Sequence, residues 1–99
     1  MYQTVKITKS NREDKRFRAV FSGNGSKTVH FGSKNGKTFI DHQDRTKRRN
    51  YIKRHGALAE DWSVPDTAGS LSRWILWEKP DLNSAIENFA NKFGLKYKR

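Results

Sequence analysis

The sequence predicts an α+β fold in a single domain: an antiparallel meander of three or four strands, then three helices. Three observations carry this. Residues 2–32 alternate apolar and polar side chains, the period of a half-buried strand, and glycine turns interrupt the alternation. After Asp41 the apolar spacing becomes helical. Only 33% of the chain is hydrophobic, yet 12% is aromatic, a share that disordered chains lack, so a few large rings must supply the core. The expectation is sharp: no helix before residue 40 and no strand after residue 65.

The strands come first. In "YQTVKIT" (residues 2–8) Val5 and Ile7 share one face, and Thr4, Lys6 and Thr8 the other. "SNREDK" is a polar turn. In "RFRAVFS" (16–22) Phe17, Ala19 and Phe21 face inward, and Arg16, Arg18 and Val20 outward. "GNGS" (23–26) supplies two glycines for a hairpin loop. "KTVHFG" (27–32) sends Val29 and Phe31 inward and Thr28 and His30 outward. A second turn, "SKNG", leads into "KTFIDH" (37–42), read as a short fourth strand. The outer face of such a meander can stay solvated; here it carries Lys6, Arg16, Arg18 and His30.

The helices follow. Asp44 caps a helix near 43–55 through "RTKRRNYIKRH", ended by Gly56. Tyr51 and Ile52 are its whole apolar stripe. Arg45, Lys47, Arg48, Arg49, Lys53 and Arg54 surround that stripe, so the segment reads as a solvated basic rod. "GALAEDWSVPD" is a connector in which Leu58 and Trp62 pin the chain to the core. A second helix near 67–78, capped by Asp66 or Thr67, ends before Pro80, which disfavours helix at the residue before it. A third near 81–93 buries Leu82, Ile86, Phe89 and Phe93 and stops at Gly94. "LKYKR" is a loose basic tail. The domain thus divides into a meander (1–42), a basic helix (43–56) and a tryptophan-rich helical part (57–99).

Two of the three tryptophans lie in "TAGSLSRWILWEKPDL". Trp74-Ile75-Leu76-Trp77 is apolar in all directions, so this helix is sandwiched between the sheet and the last helix. Trp74 is expected in the core with Phe21, Phe31, Leu71 and Phe89. Trp77 falls on another face, one turn from Arg73. It is either core as well or, with Arg73, an anchor for a partner, since exposed Trp and Arg are common hot spots.

The net charge is +11, and all of it lies in one half. Residues 1–56 hold 15 lysines and arginines against 4 acids, while residues 57–99 hold 6 of each. Clustered cations gain by displacing the counterions condensed on a polyanion, so the segregation points to one. With no cysteine, disulfides and thiolate metal sites are excluded. No apolar run approaches the ~20 residues of a membrane span, and the N-terminus lacks the apolar region of a signal peptide.

Nothing in the sequence reads as an enzyme, a metal site or a cofactor site. His42, Asn50 and His55 loosely resemble the His-Asn-His order of a ββα metal nuclease. Their spacing is short, and His55 sits turns away from His42. The acidic pairs Glu13-Asp14 and Glu60-Asp61 fall in loops, and "GNGS" joins two strands rather than opening a helix.

"KTVHFG", "DRTKRRNYIKRH" and "W...P.TAG.LSRWILW.KP.L", in that order over roughly residues 5–93, resemble a family of small uncharacterised basic proteins of large double-stranded DNA viruses, including algal viruses. The resemblance implies a viral protein, located in the virion or inside the host cell, in cytoplasm or nucleus. It assigns no chemistry and no functional residues.

The expected function is nucleic-acid binding, DNA foremost, through phosphates and without strong sequence preference. The contacts are expected from Lys6, Arg16, Arg18 and His30 on the sheet and from Arg45, Lys47, Arg48, Arg49, Lys53 and Arg54 on the helix. A sheet followed by a helix also serves some viral and plant DNA-binding domains, an analogy of fold alone. The alternative is a structural virion component, a minor capsid or cement protein. It would use Trp77 with Arg73, the basic tail and the charged sheet face against acidic neighbouring subunits, or face packaged DNA from inside the shell. Phosphate binding weakens linearly in log salt, whereas an aromatic-anchored interface survives it.

Overall fold

Alternation builds the sheet as expected. A computed structural model describes residues 2–57 and 61–98. In it β1 (Tyr2–Lys9), β2 (Lys15–Gly23) and β3 (Gly25–Ser33) form an antiparallel meander, with Val5 opposite Phe21, Ile7 opposite Ala19 and Phe17 opposite Phe31. The inner face buries Val5, Ile7, Phe17, Ala19, Phe21 and Phe31, while Val29, on the edge strand, is half-buried. The hairpin is tighter than its four-residue signal suggests, because Gly23 pairs with Gly25. Gly23 has φ +139°, and a Cβ there would lie 2.6 Å from the Gln3 backbone nitrogen. Only glycine fits that turn.

Two segments differ from expectation, and both concern the fourth strand. Residues 37–42 are not a strand: they contain a one-turn helix, α1 (Phe39–His42). Thr38 caps it, and the Asp41 carboxylate accepts hydrogen bonds from the Thr38 backbone N–H (2.8 Å) and hydroxyl (3.0 Å). This reciprocal Thr-x-x-Asp arrangement outweighs the strand propensity of Thr38, Phe39 and Ile40. Gln43, with φ 52°, ends the turn. The basic tail is not loose either. Lys96–Lys98 form β4, which runs parallel to β1 and gives the sheet order β3-β2-β1-β4. Both residue limits set by the sequence are therefore crossed, while the α+β architecture of a meander followed by helices holds.

Helix α2 (Arg45–Ala57) starts on Asp44, whose Oδ1 accepts from the N–H groups of Thr46 and Lys47. It continues through Gly56 rather than stopping there. Helix α3 (Ala68–Leu71) begins where the Ser70 N–H donates to the Thr67 hydroxyl, and it runs directly into a π-helical turn (Ser72–Leu76). Helix α4 (Leu82–Lys92) is capped by Asp81 and ends in a Schellman turn: Leu95 N–H reaches Ala90 O, Gly94 N–H reaches Asn91 O, and Gly94 has φ +66°. That turn delivers the chain into β4. Leu58 and Glu60 lie outside the described residues.

Residues 68–76 and α4 pack on the sheet's inner face, with Leu71, Ile75, Leu76, Ile86 and Phe89 buried against Phe21 and Phe31. Trp74 is not among the buried residues, contrary to expectation. It is only partly covered at the edge of the core; its Nε1–H donates to Trp62 O (3.0 Å), and Lys92 and Arg73 stand 4.4 and 4.3 Å from its ring. The π-turn explains the exchange. Its wider winding lets the adjacent Ile75 and Leu76 both point inward and leaves Trp74 and Trp77 on separate flanks. No helix among the described residues is long and apolar enough to cross a membrane.

Candidate nucleic-acid interface

Helix α2 is held by one face. Arg48, Tyr51, Ile52 and His55 recur at the i, i+3, i+4, i+7 spacing and are the helix's covered residues. The Tyr51 ring is 7% exposed and stacks on Trp77, with centroids 4.3 Å apart and planes 5° from parallel. His55 stacks on Tyr51 at 4.2 Å, and His42 tilts toward Trp77 at 5.5 Å. Beside this column Arg48 Nε–H donates to Trp77 O (2.8 Å) and its Nη2 to Glu78 Oε1 (2.6 Å), with the guanidinium 5.6 Å over the Phe39 ring. Glu78 also accepts from Arg73 Nη1 (2.8 Å). Burial pushes the Glu78 pKa up, but the hydrogen bonds and charges of Arg73 and Arg48 outweigh it, so the carboxyl sits below its ordinary value. A second clamp joins the sheet to α1: both Arg16 Nη groups meet the two Asp41 oxygens, at 2.6 and 2.7 Å. The Arg16 hydrogen bond is the main reason that Asp41 lies well below the usual carboxylate range.

These clamps divide the expected contact residues. Arg16 and Arg48 are engaged inside the protein. Arg48 is part of the inward stripe, not outside it as its charge suggests. Arg73 is 8% exposed, sandwiched between Trp62 and Trp74 and paired with Glu78, so it is no surface anchor. Trp77 is committed to Tyr51. The remaining residues lie on two surfaces. On the outer sheet face Lys6 is exposed, and Arg18 lies between Thr8 and His30, whose Nδ1 is 2.7 Å from the Ser10 hydroxyl. Lys96, expected in a loose tail, joins this face opposite Thr4. No strand among the described residues contains an acidic side chain. On α2, Arg45, Lys47, Arg49, Lys53 and Arg54 are exposed; none forms an ion pair among the described residues, although the N-cap carboxylate of Asp44 lies within Coulombic reach of Lys47.

A cleft of about 480 Å³ opens between α2, the open end of the β2–β3 hairpin and residues 68–77. Lys15, Lys37, Arg54 and His55 line it together with the apolar Leu76 and Trp77. A smaller cleft of about 240 Å³ adjoins it, shares Lys37, Tyr51, Arg54 and Trp77, and reaches His42, Lys47 and Asn50. Gly32 makes the close approach possible: with φ +80°, a Cβ there would meet Leu76 Cδ1 at 3.0 Å. Sequence reasoning missed Lys15, the first residue of β2, and Lys37, just before α1; neither carries a periodic signal. The structure also brings His42, Asn50 and His55 around one aromatic column, although His42 Nδ1 is used as an acceptor for the Asp44 N–H. No group of three or more His, Asp or Glu side chains that could hold a metal ion occurs among the described residues.

No curated protein and no solved structure matches the chain. Residues 5–55 match a family of unknown function (DUF5754), and the chain belongs to that family. The matched segment runs from β1 into α2 and contains every cation that accounts for the net charge.

Proposed function

We propose that this member of DUF5754 binds nucleic acid through phosphate contacts, with little sequence preference. The exposed row of α2 (Arg45, Lys47, Arg49, Lys53, Arg54) is the main surface, and Lys6, Arg18, His30 and Lys96 on the outer sheet face form a second. One observation carries the reading. Arg45, Arg49 and Lys53 succeed one another at i, i+4 spacing and form no ion pair among the described residues. Each like-charge pair at this spacing destabilises a helix by about 0.2–0.5 kcal/mol. A helix anchored by a single face tolerates such a row at a loss, and a polyanion turns the loss into binding energy through counterion release.

We also infer that the protein is viral, as the resemblance of its motifs suggests, with a genome as the natural polyanion. The alternative, a capsid or cement component, would use the charged sheet face and the tail together with Trp77 and Arg73 as anchors, and the last two are engaged within the protein. That engagement ranks it second.

The test is binding to labelled duplex and single strands between about 50 and 500 mM salt. The expected result is a linear fall of log affinity with log salt. Arg45→Glu, Arg49→Glu and Lys53→Glu together should flatten that slope by about one unit for each phosphate no longer neutralised. Absence of binding to either form at about 50 mM salt would overturn the reading in favour of protein neighbours.

A further inference from the structure

The cleft beside α2 is built differently from the surfaces around it. Its aromatic wall is the half-buried Trp77, backed by Tyr51, with the buried Leu76 beneath, and its cations are Lys15, Lys37 and Arg54. Among the described residues none of these three cations has an acidic partner, and the rim carboxylate, Asp14, is paired with Arg12. The volume of about 480 Å³, with another 240 Å³ adjoining, falls in the range of small-ligand pockets, and apolar walls with a few converging polar groups are what such pockets share. A ligand for it must present a flat apolar ring and an anion a few ångströms away. The π-helical turn that ends at Trp77 forms part of the wall, and π-turns of this kind recur at functional sites.

Building on the proposed function, we propose that this cleft receives one unpaired nucleotide of a single strand, its base against the part of Trp77 that Tyr51 leaves uncovered and its phosphate between Lys37 and Arg54. A duplex keeps its bases stacked and can offer the cleft only its backbone. Single strands therefore bury a base here that duplexes cannot, whereas the row of Arg45, Arg49 and Lys53 treats both alike. Because every base has an apolar ring face, the preference is for strandedness rather than sequence. A nucleotide in the larger cleft would have its neighbour's phosphate near Lys47, at the mouth of the smaller one.

The experiment measures fluorescence anisotropy of a labelled single-stranded octamer of thymidine, and of a hairpin duplex of equal phosphate number, with the full chain and two double variants. Lys37→Gln with Arg54→Gln strips the cleft. Arg49→Gln with Lys53→Gln strips the open row. All four residues are exposed and have no acidic partner among the described residues, and thermal melts confirm that the variants fold. The native chain should prefer the octamer, and the cleft variant should lose about tenfold for the octamer while the duplex changes by two- to threefold. The row variant should weaken both ligands by the same factor. Equal affinity of the native chain for the two ligands would overturn the inference, as would equal losses from the two variants. In either case binding persists, so the proposed function stands. No binding of either ligand overturns both. Thymidine monophosphate matching the octamer's affinity would also overturn it, since the cleft would then serve a free nucleotide rather than a strand.

Discussion

The two halves of the chain treat charge in opposite ways. In residues 61–98 the cations near the core are put to structural use: Arg73 lies between two indoles and binds Glu78, and Lys92 covers Trp74. In residues 2–57 only the cations that reach a carboxylate do the same, Arg16 to Asp41, Arg48 to Glu78, Lys27 to Asp66 and Arg12 to Asp14. Two of these acids, Asp66 and Glu78, come from the neutral half. Among the described residues, the other lysines and arginines of the basic half, on α2, on the outer sheet and around the cleft, form no ion pair. Net charge is therefore a poor guide to which cation is available; the partner decides, and the partner is often far away in sequence.

Removing the support should have the largest effect. Phe89 is fully buried in the centre of the core. Phe89→Ala should cost about 3–5 kcal/mol, much of the stability of a domain this size. Trp74, partly exposed at the edge of the core, should cost less on truncation to Ala, about 2–3 kcal/mol, because part of its ring already meets water. Denaturant unfolding of the two variants tests this order. Equal losses would return Trp74 to the core.

Next comes the clamp. Arg48→Ala removes two hydrogen bonds, one to a carboxylate, and leaves Glu78 with Arg73 alone. The expected loss is about 1.5–3 kcal/mol, whereas Arg49→Ala, on the exposed side, should stay within about 0.5 kcal/mol. Circular dichroism melts would separate the neighbours. Similar losses would mean that α2 is not fastened through Arg48.

Much of this was legible in the sequence. The meander follows from Val5, Ile7, Phe17, Phe21 and Phe31, whose period of two survives tertiary packing because one face is buried. Asp44 and Asp81 marked helix starts correctly, and of the two candidates Asp66 and Thr67 it is Thr67 that caps α3. The spacing that puts Arg48 and His55 on the face of Tyr51 was also present, hidden because neither counts as apolar. Other features had no local signal. β4 is three residues long and gains its meaning from pairing with β1 across the chain. Arg48 and Glu78 are 30 positions apart. The π-turn redistributes Trp74 and Trp77 in a way that ordinary helical spacing cannot express. Nor can a count of charges assemble the cleft, since its walls come from the hairpin, α2 and the π-turn.

The clamps also predict a response to acid. Asp41 and Glu78 are both held below their ordinary pKa in the folded protein. Their contribution is complete above about pH 5, shrinks as the pH falls through the ordinary carboxylate range, and is gone once the folded carboxyls protonate. Melting temperature should therefore fall between about pH 5 and pH 2, by more in the native chain than in an Asp41→Asn, Glu78→Gln double variant. Self-repulsion of the cations contributes to both, so the difference between them isolates the clamps. Parallel falls would mean that neither carboxyl is held by its arginines.

The smallest expected effect has the opposite sign. Arg49 lies four residues from both Arg45 and Lys53, so Arg49→Glu turns two like-charge pairs into two attractive ones on an exposed helix face. Each pair is worth about 0.2–0.5 kcal/mol in either direction. Removing two repulsions and adding two attractions should gain about 0.8–2 kcal/mol in all, a rise of several degrees in melting temperature for a domain of this size. The gain should shrink as salt screens the exposed charges. The same substitution should weaken nucleic-acid binding, since it removes one phosphate-binding cation and adds a repulsive charge. A change that strengthens the fold while weakening the ligand is the signature of a surface held for a partner rather than for stability. Were Arg49→Glu to leave melting unchanged at low salt, the row would carry no repulsion to relieve. The contrast between the unneutralised half and the balanced half would then lose its energetic basis.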